Sequence, residues 1–173
     1  DAAPRVVLLR GTGKIFCAGG DIEEFVAAGD GIDALVERIL EPLHPAIERL
    51  GEAPMPVVRA LNGAIGGAGI GVALCADFVL AAASMKLRTG YAAIGLSPDA
   101  GASYFLSRRI GSERAKQLFM LSDALDAQRC LALGLVDAVP PDAELAGAAD
   151  ALVQRLAACA PGSMARVKRL CAG

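Results

Sequence analysis

The sequence predicts an α/β fold, and three observations lead there. In the first half, short apolar runs end at glycine-rich turns, which is strand punctuation. Those runs alternate with a segment of helical spacing. The second half reads mainly as helix. Strands alternating with helices give the α/β class. The 173 residues suit one folded unit with a sizeable core, without repeats or a low-complexity linker. Residues 1–110 are expected to form the α/β core, and residues 111–173 a helical C-terminal region that mediates oligomerisation.

The first apolar run, residues 6–9, is a buried strand ended by Gly11, and a loop through Gly13, Gly19 and Gly20 follows. Between Ile32 and Leu50, apolar residues fall at 32, 35, 36, 39, 40, 43, 47 and 50, one face of a helix. Pro42 and Pro45 are expected to kink or split it. Residues 56–61 form a second strand running into Asn62-Gly63 and a glycine-dense turn, and residues 72–76 a small-residue helix. Residues 78–81 and 86–88 are further strands. Ser112 is placed as the cap of a helix carrying Ala115, Leu118 and Phe119, and Asp126 as the cap of one that stops at Gly134. Residues 135–139 read as a strand stopped by Pro140-Pro141, and residues 144–158 and 163–170 as the last helices.

Composition narrows the function classes. A net charge of −2 points to neither nucleic acid nor an anionic membrane as partner. The most apolar stretch, residues 60–83, is broken by glycines, Asn62 and Asp77, so it reads as core rather than as a membrane span. Asp1-Ala2-Ala3-Pro4-Arg5 does not resemble a signal peptide. The five cysteines form no C-x-x-C pair and read as reduced thiols of a cytoplasmic protein. With His44 as the single histidine, a histidine-based metal cluster is excluded and no metal site is expected. Abundant alanine and glycine with only 4% aromatic residues suggest close packing and association between protomers.

Three segments have turns that could carry chemistry. In Phe16-Cys17-Ala18-Gly19-Gly20-Asp21-Ile22, successive backbone N–H groups could converge on an anion or a polarised oxygen. A tight connection using glycine for its backbone freedom explains the same residues. Asn62-Gly63-Ala64-Ile65-Gly66-Gly67-Ala68-Gly69-Ile70-Gly71 also joins a strand to a helix, and close helix–strand packing is its plain reading. Its glycines lack dinucleotide-fingerprint spacing, and Gly11-Thr12-Gly13-Lys14 lacks the full phosphate-loop spacing. In Gly95-Leu96-Ser97-Pro98-Asp99-Ala100-Gly101-Ala102-Ser103, Asp99 either caps the next helix or stands as a general base.

Together these segments resemble the crotonase superfamily, the enoyl-CoA hydratase/isomerase family. Ala76-Asp77 and Ala132-Leu133-Gly134-Leu135-Val136-Asp137 followed by Val139 extend the resemblance over nearly the whole chain. Order and spacing carry it, since each motif alone is weak. The resemblance implies stacked ββα turns with a helical C-terminal region, and homotrimers or dimers of trimers. It also implies acyl-CoA thioester substrates, with coenzyme A as part of the substrate and no separate cofactor. By motif position, the amides of Gly20 and Ala68 would hold the thioester oxyanion, and Ala18, Gly19, Asp21, Ile22, Gly67 and Tyr91 would line the substrate site. The two glutamates of family hydratases fall on Gly71 and Tyr91, whereas Asp99 matches the lone acid of many family isomerases. Family dehalogenases place a nucleophile there but add a tryptophan, which this chain lacks. A basic residue that often follows the first turn is Glu23 here, beside Glu24. Relative to the family the chain looks shortened at its N-terminal side, and often at its C-terminal side, as a fragment would be.

The leading expectation is therefore a shift of a 3-enoyl-CoA double bond to the 2-position, with Asp99 moving the proton. The alternatives are hydration or hydrolysis through Asp99 and water, and a non-catalytic acyl-CoA binder. Elsewhere, His44 shares a helical face with Leu40 and Ile47 and reads as packed or capped. Arg108, Arg109, Arg114 and Lys116, and likewise Arg166, Lys168 and Arg169, read as solvated helix faces, with phosphate contacts the alternative. Cys17 reads as a small packing residue, and Tyr91 as a pocket wall, a hydrogen-bond donor to substrate or a core residue.

Overall fold

The computed structural model describes residues 4–171. Asp1, Ala2 and Ala3, part of the segment judged unlike a signal peptide, lie outside the described residues, as do Ala172 and Gly173. Three strand–turn–strand units run in succession, each giving one strand to each of two sheets. β1 (Val7–Arg10), β3 (Val57–Leu61) and β5 (Phe78–Ala81) form a parallel sheet in the order β1-β3-β5. β2 (Ile15–Cys17), β4 (Ala64–Gly66) and β6 (Lys86–Arg88) form the second, which β7 (Leu125–Asp126) closes antiparallel to β6. Parallel neighbours need crossovers, and helices supply them. α1 (Ile22–Ala28) and α2 (Ile32–Gly51) follow β2, and α3 (Gly69–Leu74) follows β4. All five residues of β3 are buried, as a central parallel strand requires.

The rest of the chain is helical: α4 (Ala102–Ile110), α5 (Ser112–Leu121), α6 (Ala127–Leu133), α7 (Leu145–Ala157) and α8 (Pro161–Cys171). The main core packs Leu61, Ile70, Leu74, Met85, Leu87 and Leu106 between the sheets, α3 and α4. A second cluster joins Val58, Ala60 and Leu80 to Leu145 and Ala149 of α7. Asp77 ties the start of β3 to α8: its Oδ2 accepts from Val57 N at 2.8 Å and from Lys168 Nζ at 2.6 Å. Asp126 caps α6 by accepting from Arg129 N at 2.7 Å, and Gly134 ends it in the left-handed conformation.

Several expectations are corrected. α2 is one helix through Pro42 and Pro45, because both prolines sit on its exposed side. The carbonyls that lose a partner there can turn to water. His44 is exposed rather than packed. The small-residue helix starts earlier, at Gly69, and ends at Leu74. Ser112 lies inside α5, and the capping position belongs to Gly111. Residues 135–139 pair through the single bridge Leu80↔Ala138, while Asp137 Oδ2 accepts from Val79 N at 2.6 Å. Arg109 and Lys168 are not solvated charges. Arg109 reaches Ala76 O at 2.9 Å, and burial lowers its pKa; Lys168 is the residue held by Asp77. Arg108 does lie at the surface, stacked 5.5 Å from the Tyr104 ring centroid.

Candidate active site

β2 and β4 are parallel neighbours, with Ile15 opposite Ala64 and Cys17 opposite Ile65. The two glycine turns that follow them therefore leave the same end of the same sheet. They meet backbone to backbone. A Cβ on Gly19 would stand 3.1 Å from Gly66 O and 3.2 Å from Ala68 N, and one on Gly69 would fall on the Cys17 carbonyl. Gly19 (φ +95°) and Gly67 (φ +49°) adopt the positive φ that glycine tolerates without strain. Gly67 N donates to Thr89 O at 3.2 Å, which anchors the second turn to the end of β6.

Among the described residues, the N–H groups of Gly20 and Ala68 have no protein acceptor. Both residues border one cavity of about 260 Å³, together with Ala18, Ile22 and Gly67. Its apolar walls are Phe25 of α1, Val36, Ile39 and Leu40 of α2, and Ile94 and Leu96. The Phe25 ring lies directly over Gly20, where a Cβ would strike it. Gly19 and Asp21 are off the wall. Gly19 shapes the turn, and Asp21 caps α1, its Oδ1 accepting from Glu23 N at 2.9 Å and Glu24 N at 3.4 Å. Cys17 packs its Cβ against the first residue of α3.

Asp99 and Tyr91 complete the wall. Asp99 is not a cap: Gly101 holds the capping position of α4 with φ 72°, and no side chain caps that end. Only the Asp99 main-chain oxygen serves the helix, accepting from Ala102 N at 2.8 Å. The carboxylate turns instead to the Tyr91 hydroxyl, which donates to Oδ1 at 2.7 Å. Oδ2 has no partner among the described residues. Tyr91 is 5% exposed, and its phenol pKa is raised, first by burial and then by the bond to Asp99, so it keeps its proton and remains a donor. Among the described residues bordering the cavity, Asp99 is the one acid.

Gly71 has no room for a side chain, since a Cβ there would fall on the Ala100 carbonyl oxygen. Glu23 and Glu24 stand exposed just past the first turn. Of the residues singled out in the sequence, the structure places Gly20, Ala68, Tyr91 and Asp99 around this one cavity, and it adds Val36, Ile39 and Leu40, which the sequence marks only as one face of a helix. Their helical spacing marks a buried face without saying whether that face meets core or cavity. Thr89, also on the wall, gave no motif signal.

Alternating ββα units, two abutting turns with free amides, and one carboxylate across a shared apolar cavity define a crotonase-type protein. A family model described as Enoyl-CoA hydratase/isomerase matches residues 1–172, and the chain belongs to that family. It is 34% identical over 172 residues to trans-2-decenoyl-acyl-carrier-protein isomerase of Streptococcus mutans, covering 98% of this chain and 65% of that protein. It is 37% identical over 161 residues to 1,2-epoxyphenylacetyl-CoA isomerase of Escherichia coli, covering 91% of this chain and 60% of that one. The crystal structure of an enoyl-CoA hydratase from Bacillus anthracis matches with a TM-score of 0.92 at 31% identity, covering 100% of this chain and 66% of that chain. The chain thus spans roughly half to two thirds of the length of such curated relatives, from 51% to 65%. Among the described residues, no helix is long and apolar enough to cross a membrane.

Proposed function

We propose that the protein isomerises 3-enoyl-CoA thioesters to the conjugated 2-enoyl form. The thioester oxygen accepts from the Gly20 and Ala68 amides. Asp99 Oδ2 takes a proton from the carbon alpha to the thioester, and the electron pair delocalises through the carbonyl and the double bond as a dienolate. The proton then returns from Asp99 to the gamma carbon, leaving the double bond between the alpha and beta carbons. Donors aimed at developing charge in a dry site contribute about 2.7–4 kcal/mol each.

The observation that carries the reading is the carboxylate itself: Asp99 is free at Oδ2 and faces the cavity that Gly20 and Ala68 also border. One acid suffices for a proton shift, whereas water activation by two glutamates has no support at Gly71 or Tyr91. The apolar walls suit a hydrocarbon acyl group. Coenzyme A enters as part of the substrate. Exposed apolar side chains on the helical region, Met120, Leu121, Val167 and Leu170, support association into trimers or dimers of trimers. Hydration through Asp99 is the second reading, favoured by the close fit to a hydratase structure. Parallel assays of 3-enoyl-CoA isomerisation and 2-enoyl-CoA hydration test the proposal. Isomerisation should dominate, and hydration without isomerisation would overturn it.

A further inference from the structure

A buried polar chain runs from Thr89 and Gly90 on the cavity wall back to the end of α5. Thr89 is fully buried and Ser122, at the end of α5, is 5% exposed. Their hydroxyl oxygens lie 3.0 Å apart. Thr89 Oγ1 donates to Leu118 O at 3.0 Å, and Gly90 N donates to Ser122 Oγ at 3.0 Å. Each hydroxyl has one proton. Thr89 spends its proton on Leu118 O, so Ser122 must donate to Thr89. The chain therefore has one direction: Gly90 N–H to Ser122, Ser122 to Thr89, Thr89 to Leu118 O.

This chain fixes the segment from Arg88 to Tyr91, and that segment touches both halves of the site. Thr89 O holds Gly67 N, one residue before the Ala68 amide. Tyr91, one residue after Gly90, holds Asp99. Arg88 Nε adds a bond to Ser122 O at 3.0 Å. Ser122 is held at φ 56°, a left-handed conformation that favours glycine. A glycine would provide that backbone without strain but also without the Oγ that Gly90 and Thr89 use. A strained residue tied into a buried network beside a site is the pattern expected where geometry must be held.

We propose that Thr89 and Ser122 are positioning residues whose paired hydroxyls set the Ala68 amide and the Asp99 carboxylate in one mutual geometry. This rests on the proposed isomerase reading. It is tested in the whole protein with Ser122→Gly, Thr89→Val and Thr89→Ser. The readouts are isomerase kinetics, affinity for a saturated acyl-CoA, melting temperature, and the infrared thioester carbonyl stretch of that bound ligand. Ser122→Gly suits the left-handed backbone, so it keeps the test open if Thr89→Val fails to fold. Ser122→Gly and Thr89→Val should lower kcat by about 10- to 100-fold with ligand affinity within about threefold, as misplacement of reacting groups does. The carbonyl stretch should move toward its value in water, and Thr89→Ser should restore both readouts. Unchanged kcat and carbonyl stretch in folded Ser122→Gly would overturn the proposal, as would a Thr89→Ser variant as impaired as Thr89→Val. If the wild type isomerises no 3-enoyl-CoA, the isomerase reading fails, while the carbonyl shift still decides the positioning claim.

Discussion

Replacing Gly71 with alanine tests how tightly the site is built. In an open helix the change would stabilise, because alanine exceeds glycine by about 1 kcal/mol in helix propensity. Here the added Cβ falls on the Ala100 carbonyl oxygen, with Ala102 N only 3.3 Å away. The obstacle is main chain, so no side chain can rotate aside. α3 and α4 pack directly on each other at this point, and both Gly71 and Ala100 are buried. Overpacking costs about 1–3 kcal/mol, and a backbone obstacle puts this site near the upper end. Subtracting the propensity gain leaves a net loss of about 2 kcal/mol. At about 2–4 °C per kcal/mol for a chain of this size, the melting temperature should fall by roughly 4–8 °C. Differential scanning calorimetry of wild type and Gly71→Ala measures it. An equal or higher melting temperature would refute the close contact. It would also reopen this position to the glutamate that family hydratases carry.

Other perturbations reach the rest of the account. Tyr91→Phe removes the donor to Asp99 Oδ1 while keeping the ring against Phe119, so kcat should drop about 10-fold with little change in melting temperature. An unaltered kcat would show that the phenol does not orient the acid. Asp77→Ala strands the buried Val57 N–H and leaves Lys168 only its bond to Met55 O, and should cost about 2–3 kcal/mol in urea unfolding; a loss below about 0.5 kcal/mol would contradict the latch. Burial, then the Asp126 charge, pushes the Cys130 thiol up to about 12. An unfolded thiol loses its proton first, near pH 8.5, so the folded chain binds more protons above that pH and stability falls as pH rises toward 12. The contribution is up to about 1.4 kcal/mol per pH unit, and Cys130→Ala should flatten the alkaline slope of the urea midpoint; parallel slopes would exclude it.

Much of this site could be read from the sequence because its chemistry lies in the backbone. Gly19 and Gly67 need positive φ, and the spacing of such glycines survives in the sequence as a motif. The first-sheet strands were legible as apolar runs because β3 is buried throughout and β5 nearly so, whereas β1, expected to be buried, is half-buried at Val7 and Leu8 and exposed at Leu9 and Arg10. The second sheet was not: β2 and β4 are three residues each, embedded among glycines, too short to show a period. β7, two residues long, depends wholly on its pairing with β6. Asp99 looked as much like a helix cap as a base, and only the left-handed Gly101 and the reach of Tyr91 separate the two. Arg109 and Lys168 looked like surface charge because their acceptors, Ala76 O and Asp77, are distant in sequence.

The central claim is that Asp99 moves a proton on a thioester polarised by Gly20 and Ala68. Incubating wild type and Asp99→Asn with a 3-enoyl-CoA in deuterated water, and following the product by NMR, tests it most directly. The account predicts a conjugated 2-enoyl product from the wild type. Asp99→Asn, which keeps the shape and binds a saturated acyl-CoA as before, should turn over at least about 1,000-fold more slowly. Wild-type conversion rates in Asp99→Asn, or a wild type that forms a 3-hydroxyacyl product from a 2-enoyl-CoA but no conjugated product from the 3-enoyl-CoA, would contradict it.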